Sequence, residues 1–195
     1  MKSEWNVSEA LTRTGVVKEG HFLLSSGRHS RQYMQCAQLL QHPADAEQAG
    51  QAIANLFDDL EIDVVVGPAL GGVVIAHEVA RALGVRCLFA ERKEGVMELR
   101  RGFEVEKGER VLAVEDVVTT GGSVQEVVTL LEGMGAKVVG IGSIVDRSQG
   151  KTPFTVPYRA LMPIEIQSWE AEECPLCAEG TPAVKPGSRI PVSKK

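Results

Sequence analysis

Two adjacent acids, Glu115 and Asp116, follow a short apolar run and precede a loop without bulky side chains. The loop reads Thr-Thr-Gly-Gly-Ser, from Thr119 to Ser123, and an amphipathic segment follows it. Backbone N–H groups at a helix N-terminus bind phosphate well, because the positive end of the helix dipole lies there. Carboxylates accept hydrogen bonds from hydroxyl groups. Residues 111–124 therefore predict a site for a ligand with both phosphate and vicinal hydroxyls, such as a ribose 5-phosphate.

A less specific interpretation of this stretch is also available. Glycine-rich turns after strands are common, and acids at a strand end are often solvated caps. The ordered combination of apolar strand, acid pair, small-residue loop and amphipathic helix favours the phosphate site. The stretch has neither the G-x-G-x-x-G spacing of a dinucleotide-binding fold nor the lysine of a Walker loop.

Short apolar runs alternate along the chain with segments of helical periodicity. The predicted strands are 63–67, 85–90, 110–114, 137–145 and 160–167, and the predicted helices are 72–83 and 123–134. Strands separated by single helices indicate an α/β fold with a mostly parallel central sheet flanked by helices. Ligands of such sheets bind beyond the carboxyl ends of the strands. The acid pair and its loop lie at one of these ends.

The two ends of the chain differ from this alternation. The N-terminal part predicts a short helix over 8–14, a hairpin around the sequence LLSSGRHS and a helix over 44–60. The tail after about residue 180 is rich in proline and lysine, so we expect it to be loosely ordered. The 195 residues together predict a single domain.

Composition excludes several classes of protein. The formal net charge of -5 argues against a nucleic-acid-binding surface, although a local basic pocket for an anionic small molecule stays possible. Residues 1–11 carry charges and no apolar core, so we do not expect a signal peptide there. The longest uncharged run, 64–77, is too short and too interrupted to span a bilayer. We expect a soluble, cytoplasmic protein without membrane partners.

Four cysteines do not make a disulfide framework in a chain of this size. Cys174 and Cys177 form a C-x-x-C pair, but no second pair follows, so a structural zinc site is incomplete by sequence. A reduced surface pair is the expectation, with a metal or a disulfide as the alternatives. His29 is expected to form local hydrogen bonds.

The segment VLAVEDVVTTGGS, residues 111–123, resembles the phosphoribosyl pyrophosphate signature of type I phosphoribosyltransferases. Four more segments resemble parts of the orotate phosphoribosyltransferases: HFLLSSGRHS their N-terminal hood, VVVGPALGGVVIA their pyrophosphate loop, ERKEG the start of their mobile loop, and IVDRSQG their orotate-contacting turn. The resemblance implies a small hood formed by about residues 1–40. It also implies transfer of the 5-phosphoribosyl group from phosphoribosyl pyrophosphate to orotate in pyrimidine biosynthesis.

The resemblance also assigns roles to residues. Glu115 and Asp116 would hold the ribose hydroxyls, and Asp116 and Lys93 are the expected catalytic residues. The residues expected around the 5-phosphate are Val117, Val118, Thr119, Thr120, Gly121, Gly122 and Ser123. Arg92 and Lys93 would contact phosphoribosyl pyrophosphate from the mobile loop. Thr119 and Arg147 would contact orotate, the arginine through its planar match to a carboxylate.

The sequence departs from the family pattern at two lysine positions. Gly71, within the expected pyrophosphate loop 69–72, and Ser25, in the hood, stand where the best-known orotate enzymes have lysine. The mobile loop also lacks a lysine and a histidine that many relatives carry, and Arg100 and Arg101 could substitute for them. A solvated charged hairpin is the alternative for this polar segment.

Several alternatives and partners complete the expectations. Arg147 could instead form a surface ion pair with Asp146, a contact worth about 0–1 kcal/mol. The rival functions are a purine phosphoribosyltransferase and a non-catalytic sensor of phosphoribosyl pyrophosphate. The resemblance implies Mg²⁺ bound mainly through the substrate's pyrophosphate, so no protein metal ligand is assigned. It further implies a homodimer with shared active sites, and no nucleic-acid partner is expected.

Overall fold

The structure, a computed structural model, describes residues 5–24 and 26–185. Its helices are α1 (Val7–Arg13), α2 (Ala37–Leu40), α3 (Pro43–Asn55), α4 (Gly71–Leu83), α5 (Gly122–Gly133) and α6 (Pro175–Ala178). Its strands are β1 (Val17–Leu23), β2 (His29–Met34), β3 (Val64–Pro68), β4 (Arg86–Lys93), β5 (Val96–Leu99), β6 (Arg110–Val118), β7 (Lys137–Asp146), β8 (Tyr158–Pro163) and β9 (Ser168–Trp169).

The central sheet has six strands in the order β5-β4-β3-β6-β7-β8. All neighbours are parallel except β5, which runs antiparallel to β4 at one edge. The predicted fold class, an α/β fold with a mostly parallel sheet, is confirmed. Since parallel strands end at the same edge, the loops after β3, β6 and β7 meet there.

Alternate residues of the central strands pack against helices on opposite faces of the sheet. Val65 belongs to a core that includes Ile53 of α3 and Ile75 of α4. Its neighbour Val66 belongs to a second core, which includes Val127 of α5. Strands buried on both faces need near-continuous apolar sequence, which is why the uninterrupted valine runs predict them correctly. No helix in the described ranges is long and apolar enough to cross a membrane.

Two predicted elements end at different residues. β6 extends to Val118, beyond the predicted end at residue 114, because its parallel pairing with β7 continues to Asp146. Glu115 and Asp116 therefore lie within the strand rather than in the loop after it. The predicted helix over 44–60 ends at Asn55, since the next two backbone N–H groups bond to carbonyls three residues back.

The hood is a separate three-stranded sheet in the order β1-β2-β9. The predicted hairpin forms β1 and β2, and β9 comes from the far end of the sequence through the pairing of Ser30 with Ser168. The predicted strand over 160–167 thus divides into β8, which closes the central sheet, and a crossing to β9. The hood takes in more of the chain than the first 40 residues.

Part of the C-terminal tail is attached to the hood. The N–H of Val184 donates to the carbonyl of His21 at 2.8 Å, and the N–H of Leu23 donates to the carbonyl of Val184 at 3.0 Å. These bonds place residues 181–185 beside β1. The predicted loose order of the remaining tail, residues 186–195, lies outside the described residues.

Candidate active site

The loop between β6 and α5 surrounds a pocket lined by Glu115, Val117, Val118, Thr119, Thr120, Gly121, Gly122, Ser123 and Val124. Gly121 is the N-cap of α5 in the left-handed conformation, with φ 78°, and a Cβ there would lie 2.7 Å from Cζ of Phe154. Only glycine meets both conditions. The first turn of α5 has neither an acidic residue nor a side-chain cap. Its N–H groups are thus available to a phosphate.

The acid pair borders this pocket. Glu115 lies in the pocket wall and is 9% exposed, and its Oε1 accepts a hydrogen bond from the N–H of Asp116 at 3.0 Å. Asp116 in turn accepts the N–H of Val117 at 2.8 Å. Burial, and then the charge of Asp116, raises the pKa of the Glu115 carboxyl. A proton on Glu115 reduces the repulsion of a phosphate and leaves Glu115 able to donate to a ribose oxygen as well as to accept.

The loop after β3 packs directly on the acid pair. It includes a cis peptide bond between Ala69 and Leu70. A Cβ on Gly71 would lie 2.9 Å from Oδ1 of Asp116, and one on Gly72 would lie 3.1 Å from Oε1 of Glu115. The backbone can approach the carboxylates this closely because both positions lack side chains. A lysine at position 71 would press on Asp116 in this chain. The second departure, Ser25, lies outside the described residues.

Arg147 follows β7 and lies beside the end of β6, where its N–H donates to the carbonyl of Val118 at 2.8 Å. The side chain is half-buried, and its guanidinium forms neither a hydrogen bond nor an ion pair with any described residue. Burial lowers the pKa of Arg147, opposed by nearby Tyr33 and Cys36. Arginine nevertheless stays charged in proteins. A desolvated cation without a counter-ion favours an anionic ligand.

The alternative for Arg147, an ion pair with Asp146, is not formed. Asp146 Oδ1 instead accepts the N–H of Ser148 at 2.8 Å within the turn that follows β7. Gln149 and Gly150 continue this turn with positive φ values of 53° and 74°. The Asp146 carboxylate is therefore engaged within the turn. The Arg147 side chain lies near Tyr33 and Cys36 instead.

The polar segment after β4 is an ordered hairpin. β4 continues to Lys93 and pairs with β5 through a two-residue turn, Glu94 and Gly95, with φ values of 52° and 87°. Positive φ at both central residues is the preference of the tight turns that join antiparallel strands. The predicted strand over 85–90 is thus longer, because the antiparallel partner extends it.

The hairpin brings one of its two predicted site residues to the phosphate loop. Arg92 donates to both carboxylate oxygens of Glu126 on α5 at 2.9 Å and to Oγ of Ser123 at 3.2 Å. Lys93, the next residue along the strand, points to the opposite face. It makes no hydrogen bond or ion pair with a described residue. Arg92 is therefore placed at the loop of its own chain, and Lys93 is not.

The other two hairpin cations are engaged elsewhere. Arg100 and Arg101 form ion pairs with Glu91, with N···O distances of 3.6 and 3.1 Å. Arg101 also lies over the ring of Phe89, 5.5 Å from its centroid. As placed, neither arginine is directed at the phosphate loop, so their role as substitutes for the missing loop residues stays a prediction.

Comparison with known proteins identifies the family. The phosphoribosyl transferase domain family matches residues 35–175. An orotate phosphoribosyltransferase of Caldanaerobacter subterraneus is 56% identical over 183 residues, which cover 94% of this chain and 96% of the relative. The chain belongs to the orotate phosphoribosyltransferases. The resemblance of residues 111–123 is thus confirmed at the level of family and enzyme class.

Solved orotate phosphoribosyltransferases share the fold. The enzyme from Aeropyrum pernix has a TM-score of 0.70 and 26% identity, and the match covers 82% of this chain and 94% of that one. The Mycobacterium tuberculosis enzyme in complex with phosphoribosyl pyrophosphate has a TM-score of 0.63 and 27% identity, covering 80% and 93%. The structural match thus extends over nearly the whole length of both orotate phosphoribosyltransferases.

Sequence reasoning missed the contribution of the hood to this orotate phosphoribosyltransferase site. Tyr33 on β2 and Cys36, just before α2, both influence the pKa of Arg147. The Cys36 thiol is buried, and burial together with the charges of Asp116 and Glu115 raises its pKa. Each residue is more than 75 positions from the acid pair, and neither carries a local motif. Nothing short of the tertiary fold indicates that they adjoin the site.

Proposed function

We propose that this chain performs the reaction of its family with the groups located above. The 5-phosphoribosyl group passes from phosphoribosyl pyrophosphate to orotate, giving orotidine 5'-monophosphate and pyrophosphate. A bond forms between an orotate nitrogen and the anomeric carbon, while the bond from that carbon to pyrophosphate breaks and its electron pair leaves with the pyrophosphate. The observation that carries this proposal is a pocket at the start of α5 that is bordered by two carboxyls and adjoined by an arginine with no partner among the described residues.

Each end of the reacting complex has a matching group. The 5-phosphate occupies the pocket at the start of α5, and Glu115 and Asp116 hold the ribose hydroxyls. Arg147 receives the orotate carboxylate in two parallel N–H···O bonds. Thr119, exposed at the end of β6, is within the same loop and contacts the base. Such positioning accounts for much of the rate, because two bound reactants no longer need to be brought together.

The positive charge that develops on the ribosyl centre needs a negative environment. Asp116, within the site, supplies it. The departing pyrophosphate needs cations instead. Arg92 at the phosphate loop and Lys93 at the hairpin tip are the available groups. Mg²⁺ is a hard cation that prefers oxygen ligands. Because the carboxyl oxygens of Glu115 and Asp116 serve the ribose, pyrophosphate and water oxygens would be its main ligands, and the ion would neutralise charge on the leaving group.

A homodimer with shared sites accounts for the position of Lys93. Its side chain points away from the phosphate loop of its own chain and has no partner among the described residues. The active site of a second copy of this chain could receive the Lys93 side chain. Leu70 and Val74, one helical turn apart at the start of α4, are 88% and 44% exposed and offer an apolar contact beside the site. We also place the enzyme in the cytoplasm, which the four free cysteines support.

The substrate is tested by offering orotate, uracil, adenine and hypoxanthine in parallel to the purified protein with phosphoribosyl pyrophosphate and Mg²⁺. The expected result is a product with orotate and at least about tenfold lower efficiency with the other bases, since one charge-assisted bond is worth about 1.5–3 kcal/mol. Preference for a purine would overturn the base assignment. Binding of phosphoribosyl pyrophosphate without turnover would favour the sensor.

Asp116→Asn tests the ribosyl assignment. The variant should melt close to wild type, because Asp116 is at the site rather than in the core, while kcat falls by about a hundredfold or more. Asp58→Asn, at an exposed position outside the site, is the matched control and should leave both quantities unchanged. Near wild-type kcat in Asp116→Asn would show that this carboxylate does not serve the reacting centre.

Mixing two inactive variants tests the shared site. Lys93→Ala and Asp116→Asn chains, refolded together, should recover up to about a quarter of wild-type activity, because random pairing in a twofold dimer makes half the dimers hybrid and one of two hybrid sites intact. Differently tagged chains allow the hybrid to be isolated. A proven hybrid without activity would assign Lys93 and Asp116 to the same chain's site.

A further inference from the structure

Four potential metal ligands meet in the hood, outside the site described above. They are His21, His29, Cys174 and Cys177, and their ligand atoms all lie within 4.8 Å of one another. The sulfur of Cys177 is 3.3 Å from Nδ1 of His29 and 3.8 Å from Nε2 of His21. The sulfur of Cys174 is 3.5 Å from Nε2 of His21. The C-x-x-C pair that is incomplete by sequence thus has two histidines facing it.

The fold builds this cluster from three segments. His21 is on β1 and His29 on β2, the two strands of the hood hairpin. Cys174 precedes α6, and Cys177 lies inside that short helix. The β2–β9 pairing and the bonds between β1 and Val184 hold the C-terminal segment against the hairpin. Three of the four side chains are buried or nearly so, and Cys177 is exposed at the edge.

The separations suit a tetrahedral zinc ion. Zinc binds imidazole nitrogen at about 2.0 Å and thiolate sulfur at about 2.3 Å, which places neighbouring ligand atoms roughly 3.3–3.8 Å apart. The three nitrogen–sulfur distances given above fall in this range. The two ring nitrogens are closer, at 2.7 Å. That pair would need to open by about half an ångström to fit the zinc geometry.

The outer contact of His21 fixes which nitrogen faces the cluster. Nδ1 of His21 lies 2.6 Å from the carbonyl oxygen of Thr181. A carbonyl only accepts, so Nδ1 carries the proton and Nε2 presents a lone pair to the cluster. A histidine that binds a metal through one nitrogen usually donates the other N–H to a carbonyl or carboxylate. Thr181 provides that contact.

Charge balance also favours a divalent ion. Two buried histidines and two thiols face one another, and the cluster contains no carboxylate. Two thiolates and one Zn²⁺ sum to zero, so the loaded cluster buries no net charge. The mixture of imidazole and thiolate ligands suits zinc among the common ions, whereas Mg²⁺ prefers oxygen.

We propose that His21, His29, Cys174 and Cys177 bind a structural Zn²⁺. The ion has four protein ligands and no open position, so it fastens the C-terminal segment to the hood rather than taking part in group transfer. Binding displaces the protons of two thiols, which makes the affinity fall as the pH is lowered. The proposal does not rest on the proposed function, since its ligands lie outside the phosphate and base sites.

Metal content and cobalt spectra test the site without an activity assay. The protein is expressed with zinc in the medium and freed of any histidine tag. Elemental mass spectrometry should then find about one zinc per chain. Replacement by Co²⁺ should give the visible absorption of a tetrahedral ion and a near-ultraviolet thiolate band. Cys177→Ser, at the exposed position, should lose the ion and the thiolate intensity. Cys87→Ser, outside the cluster, is the control and should keep both.

A melting experiment tests the structural role. A zinc chelator should lower the melting temperature of wild type and of Cys87→Ser by several degrees, because an ion that binds only the folded chain stabilises it. The chelator should leave the melting temperatures of Cys177→Ser and His29→Gln unchanged. Less than about a tenth of a zinc per chain and no cobalt bands would overturn the proposal. So would a Cys174–Cys177 disulfide in protein purified without oxidant.

Discussion

Two cationic regions border the proposed active site, and they differ in how their charges are paired. On the β4–β5 hairpin, Arg92 pairs with Glu126, and Arg100 and Arg101 pair with Glu91. At the end of β7, Arg147 is half-buried and has no ion pair with a described residue. The three hairpin arginines already have carboxylates within the chain, whereas Arg147 has none among the described residues.

The difference indicates different roles. Exposed ion pairs contribute about 0–1 kcal/mol, so Arg92 can exchange Glu126 for a pyrophosphate at little cost. Such a group can follow a substrate that arrives and leaves. A half-buried arginine without a partner has already lost part of its hydration, and only an anion restores that loss. Arg147 is therefore set for one ligand group in one place.

Between these two regions, the largest expected effect comes from removing Arg147. Arg147→Ala should lower kcat/KM for orotate by about a hundredfold, because two charge-assisted bonds of about 1.5–3 kcal/mol each are lost and water replaces them only in part. KM for phosphoribosyl pyrophosphate should hardly change. Arg147→Lys should recover only a fraction, since a point charge cannot form the planar pair.

The decisive measurement for Arg147 is kcat/KM with orotate relative to uracil, in wild type and both variants. Arg28→Ala, which removes a hood arginine paired with Glu170, is a control for the loss of a guanidinium. An unchanged ratio in Arg147→Ala would remove this residue from the base site.

A moderate effect on KM for phosphoribosyl pyrophosphate is expected at the Arg92–Glu126 pair. Its sign should differ between the two partners. Arg92→Ala should raise KM for phosphoribosyl pyrophosphate by about tenfold, equivalent to about 1.4 kcal/mol. Glu126→Gln frees the arginine from its carboxylate and should lower the same KM by at most about fivefold, the range of an exposed pair. Steady-state kinetics with saturating orotate measure both.

Glu132→Gln is the matched control for Glu126→Gln, because both glutamates lie exposed on α5. It should leave KM for phosphoribosyl pyrophosphate unchanged. If Glu126→Gln raised that KM, the carboxylate would be holding Arg92 in the position that the substrate needs, and the exchange described above would not occur.

The smallest expected effect is on stability, and it compares the paired carboxyl of Glu126 with the buried carboxyl of Glu115. The hydrogen bonds from Arg92 lower the pKa of Glu126, whereas burial raises that of Glu115 above its ordinary 4.5. Between the ordinary pKa and the raised one, unfolded chains have an ionised Glu115 and folded chains a protonated one. Wild-type stability therefore falls as pH rises through this interval. Glu115→Gln removes the loss.

The variant Glu115→Gln should melt several degrees above wild type at pH 8 and equal to it at pH 4, since each pKa unit corresponds to about 1.4 kcal/mol. Thermal melts in the absence of substrate at both pH values measure this. Glu126→Gln, which loses an exposed pair, should show no such rise. A gain that persisted at pH 4 would place the effect in packing rather than in ionisation.

Much of the fold and one side of the site follow from contiguous sequence. Residues 111–123 carry the strand, the acid pair and the start of the helix, and their relations depend on backbone geometry over a few residues. Gly84 ends α4 and Gly121 begins α5, both with positive φ, at places that local sequence predicts. Valine-rich strands likewise require burial on both faces, whatever lies around them.

The tertiary structure alone decided which distant segments meet. β6 extends past its predicted end because β7 pairs with it as far as Asp146, and pairing depends on the neighbour. Tyr33 approaches Arg147 only because the hood folds over the sheet. Arg92 and Lys93 are adjacent in sequence, yet strand alternation sends them to opposite faces, and the sequence assigns both to one site.

The cluster in the hood shows the limit most plainly. His21 and Cys174 are separated by 153 positions and come within 3.5 Å of each other. A C-x-x-C pair determines only that two thiols are close, because their spacing is fixed by one turn of chain. Whether two histidines face them depends on the register of the hairpin and on the crossing to β9. Those are properties of the packed chain, and no local stretch of it contains them.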